Sequence, residues 1–595
     1  MTEKQYVVAI DFGSSRAGYA YSFIDKKVED IYTCNFGDTG EKIKTLNQVI
    51  IDDNNKVIRY GFRVQEYLKK GNLQPNEHLF ERIKMHLYAN EYQIKAVNSS
   101  RTMNLVDLIA IILEYIKRHA IMAISSTSKG LVEEYMYKEE SDKIRWVLTI
   151  PAIWDEKSKS IMMKAAEKAG IVSEKNKHLF FALEPEAASY YCAKELPVEE
   201  DFFIDPYIVC DLGAGTGDIV CHERVINDGI EKIIEKDVPK GGSYGSDEIN
   251  KKFEEQVLKI IFGQNIFDDL NEKFQESLKD NKKNKRFPSQ YVTLQNDINL
   301  FKESLDENYN KESYGIDCSL FYKMKKDFNI EDAINNYNKQ CKEGWQIKDY
   351  GTDKDDMTIT FPYQIIYDIT KEITDNIANI LINIIDEVPS TSTIFYVGGF
   401  CNSKFAVDLI QKKIKSEYPK VKHILPSRPD NAVLKGAVYY AISPERIKSR
   451  KAKYTLGMSA YLDWDSKFED GGEKYYDQEF NKYVCKNAFY NFISKNDDIP
   501  YDNCLIKPLR LRKSGDGSTY GGQLIIYRSP KVDTLFIDED SVEEMGRFEL
   551  TIEDGVMYKG EDEIFYVTME MGGTYLNATA YHKPSNTRVN MEFKY

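Results

Sequence analysis

Apolar residues along this chain gather in short runs that end in clusters of small residues, and three such segments share one plan. The first is YVVAIDFGSSRAG (Tyr6 to Gly18), the second PYIVCDLGAGTGDIV (Pro206 to Val220), the third STIFYVGGFCNSKF (Ser392 to Phe405). The unbroken apolar runs predict buried strands, and the small residues after them predict tight turns. In the first two, an acidic residue, Asp11 or Asp211, stands at the strand end and a second apolar run follows. That continuation predicts a β-hairpin. It separates both from a P-loop, where a helix and GxxxxGK[ST] would follow, and the sequence has no such motif. After the third segment comes the amphipathic run AVDLIQKKI.

Elsewhere strands alternate with helical patterns. WVLTIPA (Trp146 to Ala152) reads as a buried strand, KSIMMKAAEKAG (Lys159 to Gly170) as a helix stopped by its glycine, and Gln364 to Glu387 as a long amphipathic helix. This alternation predicts an α/β architecture. Residues 250 to 350 read as a helical outer subdomain, with KDNKKNKRF (Lys279 to Phe287) as a solvated charged face. Near residue 445 the pattern changes. SPERIKSRKAK (Ser443 to Lys453) is basic, has few apolar residues and reads as a linker. Beyond it, KYTLGMSAYLDW, GGQLIIYRS, GRFELTIED, DEIFYVTMEM and TYLNATAY alternate apolar with polar between Gly- and Asp-rich turns. They predict an antiparallel β domain.

At 595 residues the chain is too long for one core, so two or more domains are expected. Its net charge of -15 repels phosphate backbones and argues against nucleic acid as the main partner. MTEKQYVVAIDFG lacks the plan of a signal peptide, and no apolar run is long enough to span a membrane. The nine cysteines, several of them in apolar runs such as YIVCDLG, form no CxxC pair, and the seven histidines form no HxxxH or HExxH pair. Reduced thiols in a cytoplasmic protein fit this usage, and no zinc site can be argued.

Two opposed hairpins can grip the phosphates of a nucleotide, because small residues let backbone N–H groups approach phosphate oxygens. The candidates are Gly13, Ser14 and Ser15 in the first turn, and Gly213, Ala214, Gly215 and Thr216 in the second. Asp11 and Asp211 at the matching strand ends would repel a triphosphate unless a cation lay between. Mg²⁺ held mostly through water fits that need, and Asp218 could support it. Gly398 and Gly399 would let an adenosine ring lie close to backbone.

These segments together resemble the seventy-kilodalton heat-shock chaperones of the actin and sugar-kinase superfamily. AIDFGSSRAG and VCDLGAGTGDIV are similar to the family's two phosphate motifs, and LTIPAIWDEKSKSIMMKAAEKAGI to its connecting strand and helix. ALEPEAASYYC is similar to its Glu-Pro-x-Ala-Ala motif, FYVGGFCNSKF to its adenosine motif, and RPDNAVLKGAVYYA to its second connecting segment. LEPEAA and DNAVLKGAV favour the divergent twelve-type branch. The resemblance implies a two-lobed actin-like ATPase domain, a ribonuclease H-like fold repeated twice, over 1–445. Lobe I would span about 1–200 and 427–445, and lobe II about 201–426. A linker over 446–453 and a β-sandwich domain over 454–595 without a helical lid would follow. It implies that Asp11, Glu184 and Asp211 arrange Mg²⁺ and the attacking water, with Thr216 at the γ-phosphate. Pro151 and Lys159 would couple nucleotide to substrate binding, and Asp430 would lie near the adenosine site.

The departures bear on activity. Lys84 in FERIKMHL is the candidate for the family's catalytic lysine, one position off its usual register, where Ile83 stands. Glu303 takes the place of an adenine-stacking arginine beside Lys302, Ala214 replaces a glycine, and the acidic-Leu-Leu interdomain linker is missing. Three functions stay open. One is a chaperone that binds ATP or ADP with Mg²⁺, hydrolyses ATP slowly, holds polypeptide clients or a partner protein, and takes a nucleotide-exchange co-chaperone. The second is a nucleotide-gated scaffold with little turnover, and the third a small-molecule kinase.

Overall fold

The structure is a computed structural model that describes residues 6–24, 30–34, 36, 43–128, 143–172, 179–195, 206–227, 230–266, 269–279, 287–305, 313–324, 328–352, 357–443, 446–478, 481–501, 504–510, 520–552, 564–570 and 576–593. It is a mixed α/β protein whose chain divides into two compact units. One comprises residues 1–154, 161–219 and 240–443, the other 155–160, 220–239 and 444–595.

The larger unit carries the predicted strands. Tyr6–Phe12 is buried along its whole length and forms an antiparallel hairpin with Arg16–Phe23. It also pairs in parallel with Ile144–Ile150, which pairs in parallel with Leu179–Leu183. Strands covered on both faces read as continuous apolar runs, which is why this part was legible. In this unit Tyr207–Leu212 also pairs in parallel with Thr393–Val397, and that strand with Lys422–Ile424. The second arm of the second hairpin opens at Gly217.

The predicted helices form as Glu156–Lys168, Tyr363–Glu387 and Lys404–Glu417. Gly170 follows the first of these with φ of +65°, a backbone conformation that favours glycine. The third begins at Ser403, whose hydroxyl accepts the Ala406 N–H at 3.3 Å. Helices Glu184–Glu195 and Ala432–Ile442 cross closely, and a Cβ on Gly436 would run into the Ala187 carbonyl. The glycine of DNAVLKGAV therefore serves helix packing. Residues 250–350 are mainly helical, as expected, and add Ser313–Asp317 and Asp349–Tyr350 on either side of Thr358–Pro362. The core of the charge run, residues 280–286, lies outside the described residues.

The smaller unit contains two antiparallel sheets. One has six strands in the order Lys474–Asp477, Lys482–Ile493, Thr455–Asp463, Tyr520–Ser529, Glu543–Ile552, Glu592–Phe593. The other runs Cys504–Arg510, Ile564–Glu570, Asn577–His582, Thr587–Asn590. Met458, Ile526 and Phe548 from the first meet Phe565, Val567 and Ala580 from the second in one buried cluster. The stretch expected as a linker departs from that reading. Ile447–Lys451 is a strand that pairs in parallel with Ile230–Glu235 and antiparallel with Asp498–Pro500. Its basic residues hid the strand: Arg450 is buried with its guanidinium 5.9 Å from the Tyr501 ring centre, and Lys451 pairs with Asp498 at 3.0 Å.

Cys192, Cys210, Cys221, Cys318, Cys401 and Cys485 are buried. Among the described residues no helix is long and apolar enough to cross a membrane.

Candidate functional site

A cleft of about 800 Å³ lies in the larger unit. The two hairpin turns reach it first, because each strand ends there and the chain must reverse. Asn47 secures the first turn: its side chain donates to the Gly13 carbonyl at 2.8 Å, and its N–H donates to the Ser15 carbonyl at 2.8 Å. In the second turn the Gly213 N–H donates to the Thr216 carbonyl at 2.9 Å. The opening N–H groups of helix Ser246–Phe253 donate to that turn as well, Ser246 to the Gly213 carbonyl at 3.2 Å and Asp247 to the Ala214 carbonyl at 2.8 Å. A helix start has N–H groups without partners inside the helix, and here the turn supplies them.

The cleft is lined by Asp11, Gly13, Ser14 and Ser15 from the first hairpin and by Asp211, Gly213, Ala214, Gly215 and Thr216 from the second. Lys84, Glu184, Lys302, Gly398, Gly399 and Asp430 join them, and so does Glu303. Asp218, Pro151 and Lys159 are not among the lining residues. Asp218 is buried and accepts the Ala152 N–H, and Lys159 pairs with Glu156 at 2.6 Å.

The charged groups are arranged in pairs. Lys84 Nζ meets Glu184 Oε1 at 2.6 Å, both residues being buried, and lies 5.2 Å from the Trp154 ring centre. Lys84 thus faces the cleft one position off the family register, directly after Ile83 begins its short helix. Asp11 Oδ2 meets Lys44 Nζ at 2.5 Å, and Asp11 Oδ1 accepts the Thr149 hydroxyl at 2.9 Å. Lys44 is the main residue that sequence reasoning missed. GEKIKTLNQV contains no motif, and tertiary contacts, the pairing of Thr45–Leu46 with Arg16–Ala17 among them, bring this lysine to the site.

Burial would raise the Asp11 carboxyl, but the Lys44 and Lys84 cations outweigh it and hold it below the usual carboxylate range. Burial also opposes the charge on Lys44, yet Asp11, Asp211 and Asp430 keep its ammonium above the usual lysine range. Glu184 is pushed up by burial despite Lys84. Asp211 is pushed well above the carboxylate range, by burial and then by Glu184 and Asp218. Lys302 is lowered by burial, and its Nζ donates to the Ser246 carbonyl at 3.1 Å.

This distribution tests the fit of a divalent cation. Asp11 is engaged at both oxygens, by Lys44 and Thr149, so a metal ion in direct contact there would sit against the Lys44 cation and compete with it for the carboxylate. Asp211 is buried, forms no ion pair among the described residues, and stands beside other carboxylates. Its surroundings fit a cation held with waters and phosphate oxygens.

Gly398 has φ of +91°, and a Cβ on it would collide with the Asp211 carboxylate and the Leu212 backbone. A Cβ on Gly399 would meet nothing within 4 Å. The first glycine is required by the protein itself, and the second leaves open space.

Fold and cleft together define a mixed α/β protein in which two hairpin turns and a later glycine pair face one charged cleft. No protein-family model matches the chain. It is 26% identical over 653 residues to the human heat shock 70 kDa protein 12A, across 96% of this chain and 89% of that protein, and the mouse protein of the same name matches equally. The human heat shock 70 kDa protein 12B is 24% identical over 671 residues, across 98% and 90%. Similarity over nearly the whole length supports the twelve-type branch of the seventy-kilodalton heat-shock family.

Proposed function

We propose that this chain binds ATP and ADP in the charged cleft, with Mg²⁺, and acts as a chaperone-type protein whose ATP turnover is slow. On this reading the larger unit is a two-lobed actin-like ATPase domain, and the paired sheets of the smaller unit are a β-sandwich that holds polypeptide clients. The carrying observation is the convergence of Gly13 to Ser15, Gly213 to Thr216 and Gly398–Gly399 on one cleft, from segments far apart in the chain.

The backbone N–H groups of the two turns would bind phosphate, with the hydroxyls of Ser14, Ser15 and Thr216 as further donors. Lys84 would face the γ-phosphate while holding Glu184, which positions the attacking water. A divalent ion at Asp211 would supply charge neutralisation on the phosphates. The open space at Gly399 would admit the adenosine. The nucleotide-gated scaffold is the second reading. It is favoured by the ion pairs that already engage Asp11 and Glu184, since a carboxylate tied to a lysine is a poor base for water.

The test uses Gly215. A Cβ there would meet the Met85 sulfur and the Ser14 side chain inside the cleft, and Met85 can swing away. G215V is expected to fold with a lowered melting temperature, because Ser14 Cβ at 2.9 Å must shift too, and to lose ATP affinity, read by calorimetry beside a thermal melt. Unchanged affinity would refute the two-hairpin site. Gly13 is a poorer probe, because a Cβ on it would strike the Arg16 carbonyl of the hairpin itself. Steady-state ATPase assays with and without unfolded peptides separate chaperone from scaffold: turnover unmoved by peptide favours the scaffold.

A further inference from the structure

The nucleotide reading gives Lys44 no role. Lys44 comes from outside every motif, yet its placement beside Asp11 is built from several sides. Thr45–Leu46 pairs with the second arm of the first hairpin in the register Ala17↔Thr45 and Arg16↔Leu46, which draws Lys44 alongside Gly18. Gly18 is the cross-strand partner of Asp11. A Cβ on Gly18 would meet Lys44 Cγ at 2.9 Å and the Ile43 carbonyl at 3.1 Å. The position opposite the carboxylate is thus without a side chain where the lysine stem passes. Asn47, three residues on, holds the same segment to the Gly13 and Ser15 carbonyls. The Lys44 side chain is only 15% exposed and that of Asp11 only 7%, so solvent and salt screen the pair weakly.

We propose that Lys44 is a resident cation of the cleft, one that neutralises Asp11 so that phosphates can enter beside this carboxylate without a metal ion at it. The proposal rests on the nucleotide reading and deepens it. The two hairpins carry equivalent aspartates and treat them differently: Asp11 receives a protein cation, and Asp211 is left for an exchangeable one. Nucleotide affinity should then depend only in part on divalent metal, and Lys44 should set how much. Lys44 acts through Asp11, as a positioning residue.

The experiment measures ATP affinity of the full chain by calorimetry, in Mg²⁺ and in EDTA, and takes the ratio of the two dissociation constants. Wild type is expected to keep measurable binding in EDTA. K44M leaves Asp11 uncompensated against the phosphates and should raise the ratio about tenfold or more. K44R, which keeps the charge, should stay near the wild-type ratio. The double variant Asp11→Asn/Lys44→Met removes both charges and should return to it. The double variant also carries the test if K44M does not fold, because it buries no unpaired charge. An unchanged ratio in K44M overturns the proposal. So does a double variant with a raised ratio, which would put Lys44 on the phosphates rather than on Asp11. Wild-type binding that is present in Mg²⁺ and abolished in EDTA overturns this inference and leaves the nucleotide reading standing. No binding in Mg²⁺ at all refutes the nucleotide reading itself.

Discussion

At the scale of single residues, the cleft separates a glycine that the fold requires from one that leaves open space. Gly398 and Gly399 are adjacent and read alike in sequence. G398A should destabilise the protein strongly, since alanine at positive φ is strained by about 1–3 kcal/mol even before its clash with Asp211 and Leu212. G399A should leave the melting temperature nearly unchanged and weaken adenine-nucleotide binding. Parallel thermal melts and calorimetry check the pair, and a G399A protein of full affinity would move the adenosine elsewhere. The site candidates were legible because their chemistry recurs in motifs. Lys44 was not, because a lone lysine in a polar stretch reads as a solvated charge until strand pairing shows what it faces.

At the scale of elements, sequence reading succeeded where burial is uniform and failed where polar groups lie inside. The apolar runs Tyr6–Phe12 and Thr393–Val397 are buried throughout, and the pattern states as much. Strand Lys482–Ile493 was not singled out, although its neighbour Thr455–Asp463 was. Its alternation is interrupted by buried Asn487, which bonds the Gly471 carbonyl and the Asp538 carboxylate, each at 3.1 Å, and accepts the Glu473 N–H at 2.8 Å. A buried amide with its hydrogen bonds made is tolerated in a strand but looks like a break.

A titratable group on another element yields a prediction. His423, on strand Lys422–Ile424, shares a hydrogen bond of 2.9 Å with the Tyr396 hydroxyl. Burial, with Lys415 adding to it, lowers its pKa from 6.5 to about 4. The unfolded chain would take up a proton here below pH 6.5, and the folded chain only near pH 4. Stability should therefore fall as the pH drops through that window. Urea melts at several pH values should show a shallower fall in H423Q than in wild type; parallel profiles would remove His423 as a contributor.

At the scale of the whole molecule, the buried cluster of the smaller unit is drawn entirely from residues 452–591. A fragment of residues 446–595 should fold on its own and show a cooperative transition by circular dichroism. It retains Ile447–Lys451, which pairs with Asp498–Pro500. Titrating a peptide library against it by fluorescence anisotropy tests client binding. A folded fragment that binds no peptide at high micromolar concentration would leave the scaffold as the better description.

The cleft has a further consequence in time rather than in space. Its lining comes from residues near 11, 44, 84, 184, 211, 302, 398 and 430, so nearly the whole length of the larger unit must be in place before it exists. Contacts so distant along the chain form slowly, because each closes a long loop before any reward is felt. A refolding chain should regain helical signal early and nucleotide competence late. Stopped-flow circular dichroism run beside capture of a fluorescent ATP analogue would show the lag, and coincident traces would mean that the cleft is assembled early. A chain still emerging from the ribosome would be blind to ATP until residues near 430 had been made, with the smaller unit's strands from Ile447 onward still to follow.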